Sequence, residues 1–282
     1  MLRSLLACIL QKFTHLIIKS LGMIGPIIPR LYFTLKKRNL SIYILCCASL
    51  YSTTYAKAAT GEINPLVLTP YNLIYSSSYN GIDVKTSRSL TGESKVYILS
   101  ATAKNMVSDI SEQAIFEIDT HGTIAELKYQ ATKNILGLKK KELLLYDQAI
   151  GIASYESKKK QRQILLSNAH LNQLTYQIKL QSDLINGATS LDYSIIKKGK
   201  VKVYRFEILG EETLKTPLGE ISTLKIRKIP EDDDRETFLW FAPRWHFMLI
   251  QLWQHEVGGD EYKMLLERGT LAGNQLSSAT ML

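Results

Sequence analysis

The chain has 282 residues, with 35 Lys and Arg against 26 Asp and Glu, a formal charge of +9 and three cysteines. Eight basic residues (Arg3, Lys12, Lys19, Arg30, Lys36, Lys37, Arg38 and Lys57) and all the cysteines (Cys8, Cys46 and Cys47) fall within residues 1–58, which contain no Asp or Glu. The remainder, with 27 basic against 26 acidic residues, lacks the basic footprint of a nucleic-acid-binding body and the thiols that cysteine catalysis, a disulfide framework or Cys-ligated metal require.

The first 58 residues read as a leader carrying a helix. Lys36-Lys37-Arg38 precede the uncharged segment 39–56, whose apolar centre, Leu40 to Leu50, is 11 residues long. Ala56-Lys57-Ala58 then has the small-x-small form of a signal-peptidase site. Basic start, short apolar core and small-residue exit predict a secretory signal peptide cleaved after Ala58, which sends the body to the periplasm of a Gram-negative cell. The alternative is an inner-membrane anchor through 39–56, although a spanning helix takes about 20 apolar residues. Residues 1–35 add a second, broken apolar run, so Met23 is an alternative start; Leu5-Leu6-Ala7-Cys8 resembles a lipobox but has no apolar core before it.

Residues 59–69 read as a linker, and period-two alternation begins at Tyr71. Tyr71, Leu73 and Tyr75 share a face; Val96, Ile98 and Ser100 oppose Tyr97, Leu99 and Ala101; Ile115 and Glu117 oppose Phe116 and Ile118. Alternation bounded by Gly, Asn and Asp predicts strands and hairpins. "LKKKELLLYD" and "ASYESKKK" form a further pair. The rhythm breaks at 167–187, where Leu171, Leu174, Ile178 and Ile185 recur at helical spacing, Ser167 or Asn168 supplies a cap and Asn186-Gly187 a stop. This predicts one amphipathic helix of about four turns. Strands resume through Lys198-Gly199-Lys200. Thr216-Pro217-Leu218-Gly219 then predicts a tight turn, because Pro217 presets φ and Gly219 accepts a positive φ, folding the strand near Glu211 onto the strand through Leu224 and Ile226. About eleven strands in one domain, 70–271, with a tail at 272–282, predict a mainly β fold: a large curved antiparallel sheet, an open or half barrel, with one long helix across its concave face, since wide sheets twist and curl.

The C-terminal half, "VYRFEILGEETLKTPLGEISTLKIRK", "RETFLWFAP", "LIQLWQHE" and "EYKMLLERGTL", resembles the bacterial family catalogued as domain of unknown function 3108. The shared motifs fall on Arg205, Phe206, Gly210, Glu211, Glu212, Leu214, Thr216, Pro217, Leu218, Gly219, Arg235, Thr237, Leu239, Trp240, Ala242 and Pro243. The likeness spans about residues 70–271 and is densest from 200 to 268. It departs after Ala-Pro, where the family has an aspartate, a leucine and an aromatic residue and this chain has Arg244-Trp245-His246-Phe247. The resemblance implies a secreted, mostly β envelope protein of unassigned activity, similar in architecture to the open half-barrel crossed by a helix of periplasmic lipoprotein carriers.

Catalytic and metal chemistry find little support. His246, His255 and Glu256 lie on or near one strand, but His246 and Glu256 are about 30 Å apart along an extended chain and His255 has the opposite parity. Asp232, Asp233 and Asp234 form a tandem run that cannot converge on Ca²⁺, which takes spaced oxygens. His121 and His170 sit at a turn and near a helix start. Glu211 and Glu212 point to opposite faces, no serine sits in a G-x-S-x-G elbow, and no phosphate-cradling glycine loop is present. No metal, cofactor or enzyme activity is therefore expected. Trp240, Phe241, Trp245, Phe247, Leu249, Leu252 and Trp253 are either core or the lining of a greasy pocket. In the second case Trp240, Trp253, Leu174 and Ile178 line it, and Arg205 and Arg235, on neighbouring strands, supply its polar groups. Lys139–Lys141 and Lys158–Lys160 are either charged hairpin tips that block edge pairing or contacts to anionic lipid or an acidic partner. The expected function is a periplasmic binding module for a hydrophobic or lipid-like ligand or a lipidated partner; the alternative is a non-catalytic envelope interaction protein with a solid core.

Overall fold

The computed structural model describes residues 68–119, 122–166, 170–230, 235–256 and 258–277. The leader with its helix, the cleavage site, the Met23 start, Cys8, His121, the Ser167 and Asn168 caps and Asp232–Asp234 lie outside the described residues.

The described chain is an antiparallel meander that bends round on itself. Eight strands run in order: β1 (Tyr71–Tyr79), β2 (Ile82–Glu93), β3 (Val96–Lys104), β4 (Ser108–Ile118), β5 (Ile124–Ile135), β6 (Leu138–Asp147), β7 (Ile152–Ser157) and β8 (Lys160–Leu165). The helix α1 (Tyr176–Ile185) follows, then β9 (Leu191–Lys197), β10 (Lys200–Thr216), β11 (Gly219–Ile229), β12 (Arg235–Ala242), β13 (Met248–Glu256), β14 (Glu261–Leu271) and the two-residue β15 (Asn274–Gln275). Every sequential pair from β1 to β8 and from β9 to β14 is adjacent, and β14 pairs with β1. The sheet is thus an up-and-down barrel with one neighbour contact missing, between β8 and β9. At that gap the tip of the β9–β10 hairpin touches the other edge through side chains: a Cβ on Gly199 would lie 2.6 Å from the Tyr155 ring and 3.2 Å from Arg162. Leu171 partly caps the edge of β9, exchanging backbone hydrogen bonds with Ser194 and Ile196 at 2.9 Å.

Strand alternation holds as read. Tyr71, Leu73 and Tyr75 of β1, Leu99 of β3 and Phe116 of β4 face inward and are buried. The 216–219 turn also forms: Thr216 pairs with Gly219, Glu211 with Leu224 and Ile208 with Ile226. The Thr216 hydroxyl donates to the Gly219 carbonyl at 2.8 Å, and Gly219 adopts φ +105°.

Three expectations change. Among the described residues there are fifteen strands rather than about eleven, because the long alternating stretches hold hairpins, several with turns of only two or three residues. The tail is not wholly outside the sheet, since Asn274 and Gln275 pair with Leu271 and Thr270. The helix is ten residues, 176–185, preceded by a turn closed by Asn172, whose side-chain oxygen accepts from the backbone N–H groups of Leu174 (2.8 Å) and Thr175 (3.1 Å). No residue from 170 to 185 is classed as exposed: the helix lies against the inner face of the open barrel, and most of its polar residues meet protein, with the Lys179 side chain reaching water.

Candidate functional site

The inward faces of β1, β2, β4, β5 and β6 and the buried helix bring together the polar groups that have to be accounted for chemically. β5 carries a bulge: Ile115 pairs with Lys128 and Phe116 with Glu126, so Leu127 is the extra residue. Glu126 and Tyr129, three apart, therefore both face inward.

Glu126 is 1% exposed. Its Oε1 accepts the Asn172 backbone N–H at 3.1 Å, its Oε2 accepts the Asn172 side-chain amide at 2.6 Å, and the Thr175 hydroxyl bonds Oε1. The carboxyl thus ties β5 to the turn that starts α1. Burial pushes its pKa up to about 8, against the pull of the Thr175 and Asn172 bonds. A buried acid costs least when neutral.

Arg88 of β2 lies at the centre. It is 8% exposed and donates to the Gln177 side-chain oxygen of α1 and bonds the Tyr71 hydroxyl. Tyr75 and Tyr176 complete its surroundings. Burial raises the Tyr176 phenol to about 12, with the Gln177 bond opposing. Arg88 makes no ion pair among the described residues, although buried cations ordinarily have one. Glu112 of β4 and Glu142 of β6 both stand opposite Ala131 in β5. Glu112 accepts from the Tyr129 hydroxyl and sits 3.8 Å from Lys133; burial raises its pKa and Lys133 opposes the rise.

Two small cavities lie where the helix meets the sheet. One cavity of about 10 Å³ is lined by Tyr71, Leu73, Tyr75, Arg88, Gln177 and their neighbours. A second of about 30 Å³ lies beside Trp245, Leu90 and Ile185. Trp245, from the loop that departs from the resembled family, is 1% exposed and fills this end. The adjoining Phe247 has φ +54° and its carbonyl accepts from Gln181 of α1 at 2.8 Å.

Of the residues assigned to a pocket lining from sequence, only Leu174 and Ile178 lie in this interior, both buried. Trp240 and Trp253 project from the outer face. Trp240 is nonetheless buried, with its indole N–H on Glu212 at 3.1 Å and the Lys225 ammonium 5.0 Å from its ring centroid. Trp253 stacks on Phe238 at 5.5 Å and donates to Glu261 at 2.9 Å. Arg205 and Arg235 are not on neighbouring strands, since β11 separates β10 from β12. Arg205 is outward, 4.0 Å from Asp192; Arg235 has the parity of Thr237 and Leu239 but lies exposed at the start of β12, paired with Glu256. The parity of Arg205 already opposed it to Phe206, which was the usable signal there; Arg235 shares the parity of Thr237 and Leu239, so alternation gave no warning. The residues missed, Arg88 and Glu126, each break an apolar stripe: Val84, Thr86, Arg88 and Leu90 share one parity, as do Ile124 and Glu126. His246 has φ +48° in the loop before β13 and is not a strand residue. Among the described residues no three His, Cys, Asp or Glu side chains are grouped to hold a metal ion.

Comparison with known proteins adds a family without an activity. The profile of a family described as "Protein of unknown function (DUF3108)" matches residues 74–267. No curated protein matches. Among solved structures, a crystal structure of a beta-barrel-like protein of domain of unknown function DUF1849 from Brucella abortus is similar at a TM-score of 0.49 and 8% identity, covering 72% of this chain and 98% of that one.

Proposed function

This chain belongs to the DUF3108 family of proteins of unknown function, and from that premise we propose that it is a non-catalytic interaction protein of the cell envelope, exported by its leader and working from its outer surface. One observation carries the reading: the two cavities between helix and sheet are small. Cavities of about 10 and 30 Å³ have room for about one water each, whereas pockets for drug-sized ligands run to roughly 300–1,000 Å³. The inner polar groups that would otherwise suggest chemistry are occupied in holding the helix: Glu126 grips its first turn, Arg88 and Gln177 bridge it to β2, and Gln181 ties it to the loop at Phe247. Solvent extraction of the purified protein, followed by mass spectrometry, is expected to release no stoichiometric small molecule. Recovery of one apolar compound at one per chain overturns the reading.

A second reading rests on Arg88. A buried guanidinium that forms no ion pair among the described residues, with Glu112 acting on it only through its charge, suits a ligand with an anionic head and a hydrophobic body, lipid or lipidated segment, admitted when α1 withdraws from the gap between β8 and β9. The same extraction distinguishes the two readings, and under this one Arg88→Met abolishes the recovered compound.

A further inference from the structure

Up-and-down order places the β1–β2, β3–β4, β5–β6, β7–β8 and β9–β10 turns at one end of the barrel, where the registers Lys85–Lys104, Ser108–Ile135 and Glu142–Ser157 align them. The β3–β4 and β5–β6 tips are joined there by a backbone hydrogen bond, Leu136 N–H to the Val107 carbonyl at 2.8 Å. They present an apolar crest. Met106 is wholly exposed, Leu136 is 74% and Leu138 72% exposed, and Val107 and Ile135 flank them.

Leu136 stands in a conformation that argues against accident. It is followed by Gly137, and the pair has φ +51° and +80°, the geometry of a two-residue turn in which both residues are left-handed and Asn-Gly or Asp-Gly is favoured. A bulky residue there is strained. Elsewhere the same kind of turn takes Asn80-Gly81 (φ +49° and +78°), Lys198-Gly199 (φ +53° and +71°) and the small Ala272-Gly273 (φ +50° and +81°), none with a side chain both bulky and apolar. The leucine thus worsens the turn and hides no apolar surface. Round the crest lie Lys104, Lys133, Lys139, Lys140 and Lys141, and the next tip adds Lys158, Lys159 and Lys160. The acids beside these lysines are Asp109, which pairs with Lys104 at 3.3 Å, Glu112, which faces inward to Lys133, and Glu142, which follows Lys141 and stands opposite Ala131.

We propose that these two hairpin tips dock on an anionic lipid bilayer, with Met106, Leu136 and Leu138 entering the headgroup boundary and the lysines on the lipid phosphates. Apolar side chains at the apex with cations set around them is the order of polarity met on approaching such a surface. A nucleic acid would engage the lysines but leave the crest in water. The inference rests on the reading that the protein works from its outer surface. It fails independently of that reading, because ligand extraction reports on the interior and the present test on the tips.

The test is hydrogen–deuterium exchange of the full chain, resolved by segment so that any binding by the leader is separable. Vesicles containing phosphatidylglycerol are expected to slow exchange at 104–108 and 135–141, and vesicles of phosphatidylcholine alone are not. Leu136→Asn suits the turn and should fold at least as well, yet weaken vesicle partition about tenfold. Replacing Lys139, Lys140 and Lys141 by Gln weakens it about a hundredfold, on the contribution of a single lysine at an anionic surface. Unchanged exchange at the tips of vesicle-bound protein overturns the proposal. So does protection of the same tips by single-stranded DNA in place of vesicles.

Discussion

Glu126 is an acid placed where water does not reach, surrounded by donors from the turn it holds. Burial is the largest influence on it and lifts its pKa from 4.5 to about 8. Between those values the folded protein keeps a proton that the unfolded chain releases. The stabilisation is therefore complete below about pH 4.5 and is lost as the pH rises through about 8. Glu112 is raised for the same reason, so the contribution of Glu126 is isolated by comparison with Glu126→Gln, in which Glu112 is retained. We expect Glu126→Gln to lower the unfolding free energy by about 1–2 kcal/mol at low pH, because the amide presents N–H groups to the Asn172 donors. The deficit should shrink towards pH 8, where the wild type loses its advantage. Denaturant titrations of both proteins across this range check it, and parallel pH profiles would show that Glu126 titrates as an ordinary exposed acid. Two side chains hide this site from a reader of sequence. A single polar residue on an apolar stripe looks like a defect until the partner, Asn172 or Gln177, is known to lie some 46 or 89 positions away.

At the scale of elements, a turn is the feature most legible from its own residues. The Thr216-Pro217-Leu218-Gly219 turn depends on the φ of two residues and a hydroxyl, all within four positions. The helix shows the limit. Its apolar residues announced it, but Gln177, Gln181 and Asp183 looked like a solvated face. They are hydrogen-bonded to the barrel, Asp183 to the Tyr193 hydroxyl at 2.9 Å, because a sheet that curls nearly right round leaves the helix little outer face. The pairing of the first long strand with the last was equally beyond local signals, since Leu73 meets Gly269 across almost the whole domain. That pair has its own requirement. A Cβ on Gly269 would lie 2.6 Å from the Asn72 carbonyl oxygen and 2.7 Å from Leu73 Cδ2. The first of these is backbone within a strand hydrogen-bonded on both sides, so it cannot step aside. Gly269→Ala should cost about 2–3 kcal/mol through overpacking, read as a lowered thermal midpoint. An unchanged midpoint would mean that β1 and β14 can separate without loss.

For the whole molecule, the joint between β1 and β14 and the gap between β8 and β9 are the two places where neighbours in space are not simply successive strands joined by a short turn. The joint is a full ladder of nine pairs, Tyr71–Leu271 to Tyr79–Tyr262. The gap has no strand ladder: Gly199 rests on Tyr155 and Arg162, and Leu171 offers β9 a single bridge. Among the described strands β8 is hydrogen-bonded to β7 alone, and five of its six residues, Lys160, Gln161, Arg162, Gln163 and Leu165, are exposed. Its lysine and arginine discourage a stray strand from pairing there. Local opening follows few buried contacts and one-sided pairing. The β7–β8 hairpin should therefore swing out without the rest of the barrel, and it is the route by which α1 would be reached from solvent. Native-state hydrogen exchange is expected to show β8 amides opening at a small fraction of the global unfolding free energy, while amides shared by β1 with β2 and β14 exchange only on global unfolding. If β8 is instead protected as well as β1, the side-chain seam at Gly199 is as strong as a ladder, and the barrel is closed in all but its backbone hydrogen bonds.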